Sequence, residues 1–132
     1  MKIALICVLI AGLMPYVWTA VAKVAGPRYN NRNVREWQTH LSGTAQRAHA
    51  AHLNSFEAFP FFAAAVLAAL ITGVDGTRVA QLSIGFVVAR IIYGLVYLAD
   101  LPRTRSLVWF AGLACVVALA AQAIRVAGGS AG

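Results

Sequence analysis

Four apolar stretches, each long enough to cross a bilayer, make up most of this chain and restrict what it can fold into. They run from about 3 to 24, 48 to 72, 79 to 98 and 107 to 127. A hydrocarbon core about 30 Å thick takes about 20 helical residues to span. Backbone amides in lipid have no water to bond, so each stretch must satisfy its own as a helix. The second and third connections are short, which predicts an all-α, integral-membrane four-helix bundle. Residues 1–132 then form a single domain, and no soluble domain fits in the remainder. With 61% hydrophobic and only 11% charged residues, the chain is far more apolar than a soluble fold of this length needs.

The formal charge of +7 raises nucleic acid as a partner, but its distribution argues against one. Lys23, Arg28, Arg32, Arg35 and Arg47 surround the first connection, and Arg103 and Arg105 occupy the third. The opposite ends carry only Lys2, Arg78 and Arg125. Positive residues gather on the cytoplasmic side of inserted helices. The first and third connections are therefore expected in the cytoplasm, with both termini on the other side. The same basic excess attracts anionic lipid or an anionic substrate. Lys2, the first apolar run and Ala20-Val21-Ala22 also resemble a cleavable signal. The run is long for a signal core and has a single leading charge, so a retained helix is expected.

Local signals refine this picture. Tyr16 and Trp18 lie too deep for interfacial anchors and are expected to pack in the core. Residues 33–37 read as a short interfacial helix anchored by Trp37. Gly73, Asp75 and Gly76 mark a tight turn. Ser106 is placed as the N-cap of the fourth span, and residues 128–130 read as a disordered tail. Cys7 and Cys115 sit in apolar helices as small packing residues and receive no role.

Two charges fall where lipid should be: Glu57 in the second span and Arg90 in the third. Each costs about 2.5–3.5 kcal/mol near the bilayer centre, so such residues face a protein interior and mark function. At about 100° per residue, Arg47, Asn54 and Glu57 share an arc of roughly 80°. Arg90, Tyr93 and Tyr97 share one of roughly 60°. Topology brings both stripes to one leaflet, beside Arg105 and Ser106. A guanidinium with two phenols suits an anionic ligand or a thiolate. The plainer alternative is a Glu57–Arg90 ion pair that locks two helices together. His49 and His52 lie on the other side of their helix and suit inter-helix hydrogen bonds better than a metal; no metal site is expected.

The segment from Arg47 to Pro60, with Asn54, Glu57 and Phe59-Pro60, resembles a second-helix motif of one family. These are the membrane-associated proteins in eicosanoid and glutathione metabolism. Arg90 followed by Tyr97, then Arg105-Ser106, is similar to that family's third-helix and fourth-helix pattern. The plain loops resemble its bacterial branch. Ala50 departs from it, standing where several eukaryotic members carry an arginine. The resemblance implies a homotrimer in the bacterial inner membrane, with glutathione as co-substrate. Arg105 would stabilise its thiolate as the catalytic residue. Arg47, Asn54, Glu57, Arg90, Tyr93, Tyr97 and Ser106 would hold the tripeptide. The implied activity is a transferase or peroxidase acting on a lipophilic electrophile or hydroperoxide delivered from membrane lipid. Two other readings stay open. A small proton-coupled transporter would be expected to keep its acid in the first span and to have few intramembrane arginines. A non-catalytic scaffold would use the stripes only to join helices.

Overall fold

In the computed structural model, which describes residues 1–129, the chain folds into five helices. They are α1 (Lys2–Ala25), α2 (Val34–Thr39), α3 (Gly43–Ile71), α4 (Gly76–Leu98) and α5 (Pro102–Gly129). All but α2 are long and apolar enough to cross a membrane. The expected all-α membrane bundle is what forms. α1 packs against α3 and α4, and α5 packs against α4 and α3. Phe62 and Phe86 stack at the centre with ring centroids 3.9 Å apart. Large side chains such as Leu9, Leu13 and Phe110 face outward, where lipid makes their exposure inexpensive.

Three helices begin earlier than the apolar pattern indicates, α4 at Gly76 by about one turn and α3 and α5 by more. α3 starts at Gly43 and α5 at Pro102, because each carries a polar first turn above its membrane-spanning part. Proline suits the first position of a helix, where its missing N–H has no partner to lose. Ser106 is consequently not an N-cap. It lies inside α5, and its hydroxyl donates to the carbonyl of Pro102 at 3.2 Å. The link from α4 shrinks to Ala99–Leu101, and Asp100 takes a left-handed φ of 59° to make the corner. At the other end, Gly128 and Gly129 continue the helix instead of forming a disordered tail. Ser130 lies outside the described residues.

The tight turn between α3 and α4 forms as expected. Gly73 adopts a φ of +80°, and the Asp75 carboxylate accepts from the Arg78 amide at 3.0 Å to cap α4. The short helix in the first connection also forms, but Trp37 is not an interfacial anchor. It is 7% exposed, packs with Ala22, Leu41 and Ala45, and donates its indole N–H to the Pro27 carbonyl at 3.0 Å. The polar loop supplies a partner for the one polar atom of the ring, so the ring is buried.

α1 brings Ala4, Cys7, Ala11, Met14 and Trp18 into the core. Trp18 is 5% exposed, whereas Tyr16 is 60% exposed and points out of the bundle. Tyr16 is thus not a core residue; it lies edge-on to Phe56 on the outer surface. The Trp18 ring occupies the space where a side chain at Gly94 would start, so α1 and α4 meet through that glycine. Cys7 is buried and Cys115 half-buried, both as free thiols.

Candidate functional site

Asn54 is the hinge of the polar interior. Its side-chain oxygen accepts from an Arg90 Nη at 2.7 Å, and its amide Nδ2 donates to the Glu57 carboxylate at 3.2 Å. Glu57 lies one turn along α3 from Asn54, which is why a single side chain can serve both charges. The direct Glu57–Arg90 ion pair is not formed; the amide stands between them. Among the described residues, the ion pair present is Arg47 with Asp100 at 3.7 Å.

A second set of contacts continues from Arg90 toward the end of the bundle that bears α2. The Arg90 guanidinium lies over the Tyr93 ring at 4.3 Å. Tyr93 meets Tyr97 edge-on with centroids 5.5 Å apart, and the Arg105 guanidinium lies over Tyr97 at 4.3 Å. The rings come from successive turns of α4, and Arg105 reaches them from the first turn of α5. Glu57, Asn54, Arg90, Tyr93, Tyr97 and Arg105 therefore form one continuous chain. Cation–π contacts of this kind contribute about 0.5–2 kcal/mol, more where water is excluded.

Burial along this chain is uneven. Arg90 is only 4% exposed, and its Nε has no hydrogen-bond partner among the described residues. Tyr93 is buried, while Asn54, Tyr97 and Arg105 are half-buried. Glu57 is exposed on the outer surface of the bundle, at a depth where lipid or a neighbouring molecule would face it. A buried charge with a free donor and an outward carboxylate both call for a polar ligand.

Beside these groups a cleft of about 180 Å³ opens between α3, α4 and α5. Asn54, Glu57 and Arg90 form its polar side; Phe61, Trp109 and Leu113 form its apolar side. These three apolar residues are absent from the sequence-based set. Trp109 lies one helical turn beyond Arg105, so recognising that α5 begins at Pro102 would have placed both on one face. Phe61 and Leu113 look like ordinary lipid-facing residues and carry no signal of their own.

Arg47 and Ser106 stand apart from the chain. Arg47 donates from Nε to the Leu98 carbonyl at 3.1 Å and from Nη2 to the Thr44 hydroxyl at 3.2 Å. It caps the C-terminal end of α4. The Ser106 hydroxyl is engaged with its own helix. His52 makes inter-helix bonds: its Nδ1 donates to the Pro15 carbonyl at 2.9 Å and lies 2.8 Å from the Thr19 hydroxyl. His49 stacks on His52. No group of three or more metal-ligating side chains occurs among the described residues.

The sequence model of the MAPEG family matches residues 3–125 of the 132-residue chain. No curated protein and no solved structure matches it. The family match runs through all four membrane-length helices and every residue of the polar chain. This multi-pass integral membrane protein belongs to the MAPEG family, the membrane-associated proteins of eicosanoid and glutathione metabolism.

Proposed function

We propose that the protein is a glutathione-dependent transferase or peroxidase acting on lipophilic electrophiles or hydroperoxides. The supporting observation is the continuous chain from Glu57 to Arg105, set against a cleft with an apolar wall. Glutathione carries two carboxylates, an ammonium group and a thiol. The Arg90 guanidinium, which lines the cleft, suits a carboxylate, and the outward Glu57 is an acceptor suited to the ammonium. Asn54 holds both protein charges in place, so little side-chain freedom is lost on binding.

Arg105 is assigned the chemical role. A guanidinium beside the sulfur favours the thiolate, and the thiolate is the reactive nucleophile. With an electrophilic carbon, the sulfur lone pair forms a C–S bond as the leaving group departs with its electron pair. With a hydroperoxide, sulfur attacks the terminal oxygen and the O–O bond breaks. The resulting alkoxide takes a proton, and a second glutathione converts the sulfenic acid to disulfide and water. Trp109, Phe61 and Leu113 offer the lipophilic substrate a surface continuous with the bilayer.

A volume of about 180 Å³ holds only part of a tripeptide, since drug-sized ligands occupy about 300–1,000 Å³. A homotrimer in which a neighbouring subunit closes the outward side of Glu57 would complete the site. The basic end, with α2 and the α4–α5 corner, is assigned to the cytoplasm of a bacterial inner membrane, with the termini opposite. The deciding measurement is a glutathione titration on detergent-solubilised protein. Millimolar-range binding, weakened about tenfold in Glu57→Gln by loss of one charge-assisted bond, is expected. Absence of glutathione binding by the unaltered protein would leave a scaffold reading in its place.

A further inference from the structure

At the end of the bundle away from α2, the α3–α4 turn and the last two turns of α5 border an open groove of about 350 Å³. It is separate from the Asn54–Arg90 cleft and shares no lining residue with it. Arg78, from the first turn of α4, and Arg125, from the last turns of α5, both line it, together with Gln122 and Asp75. The fold thus gathers two of the few basic residues at this end into one pocket.

Their charges are not neutralised within the subunit. Neither guanidinium makes an ion pair or a side-chain hydrogen bond among the described residues. Asp75 offers one carboxylate, but the contact it makes is to the Arg78 backbone amide, as the cap of α4. Two cations against one carboxylate leave a net positive pocket, with the Gln122 amide as a further donor. Like charges gathered in one pocket repel each other, and a bound anion removes that repulsion.

Depth and surroundings narrow the anion. α5 has 28 residues, which at about 1.5 Å each extends past a hydrocarbon core of about 30 Å. Its final turns therefore reach the headgroup layer. Ile71 and Ile124, at the same end, are 84% and 73% exposed and offer apolar surface toward the bilayer. Val74 and Val126 line the pocket itself. Guanidinium groups match phosphate geometry through paired N–H donors.

We propose that the Arg78–Arg125 pocket binds a phosphate group, supplied by the headgroup of a membrane glycerophospholipid whose acyl chains lie along Ile71 and Ile124. Native mass spectrometry of the detergent-solubilised full chain tests this with three probes: phosphatidylglycerol, diacylglycerol and soluble glycerol phosphate. Retention of phosphatidylglycerol is expected, with diacylglycerol lost and an Arg78→Gln/Arg125→Gln variant binding the lipid about tenfold more weakly. Circular dichroism checks that the variant is folded, and Arg125→Gln alone replaces it should the pair unfold. Undiminished lipid binding by the folded variant, or equal binding of diacylglycerol, overturns the phosphate site. Glycerol phosphate binding as tightly as the lipid overturns the membrane source and makes a free phosphate ester the ligand.

Discussion

Arg90 shows how a single side chain can be buried at membrane depth without a counter-ion in contact. Asn54 takes one of its N–H groups, Tyr93 faces the guanidinium with its ring, and Nε stays free. Glu57 is joined to the cation by hydrogen bonds through Asn54. Arg105, at the other end of the same chain, has the Tyr97 ring beneath it and is half-buried. If its charge stabilises a developing thiolate, Arg105→Ala should lower kcat by about 10²–10³, as loss of one stabilising donor does elsewhere. KM for glutathione should change less than kcat. Steady-state kinetics in detergent will separate the two, and a fully active variant would remove Arg105 from the chemistry. Arg90 was legible as a candidate because charge in an apolar helix is rare, and Arg105, in the third connection, only through the family resemblance. The hydrogen bond that joins Arg90 to Asn54 was not, since it depends on how α4 is rotated against α3.

Among the elements, α1 and α4 meet where Trp18 lies on Gly94. Any side chain there collides with a rigid indole, so Gly94→Val should destabilise the protein by about 1–3 kcal/mol, the usual cost of overpacking. A lowered thermal midpoint without loss of helicity below it is the expected reading. The corner between α4 and α5 is a second such point. Arg47 bonds the Leu98 carbonyl and pairs with Asp100, whose left-handed φ makes the turn. Arg47→Ala should lower stability by about 1 kcal/mol, the scale of a lost helix cap. Glutathione affinity in that variant decides whether Arg47 also serves the ligand. A rise of tenfold or more in the dissociation constant of the folded variant would give it that second role. Helix existence was readable from the apolar runs, but the α5 boundary was not. Ser106 is a favourable cap residue, and Pro102 a favourable first residue; contacts of Arg105 with α4 are consistent with the second.

For the whole molecule, the informative fact is that Glu57 points outward at membrane depth. A single subunit leaves that carboxylate facing lipid, which is costly, and a neighbouring subunit would relieve the cost. If the proposed homotrimer forms, the protein extracted in a mild detergent is expected at three times the chain mass by native mass spectrometry. A monomer alone, with full glutathione binding, would exclude a shared site. The sequence by itself determined the four membrane helices, the family and the candidate charges. Hydrophobic length, residue type and local spacing are properties of the chain, and lipid leaves the backbone few other choices. Only the tertiary structure decided that Asn54 lies between Glu57 and Arg90. It also decided that Arg47 caps a helix and that Trp109 walls the cleft. Helix rotation and end-to-end registry, which bring distant residues within a few ångströms, are set by packing, and no local pattern encodes them.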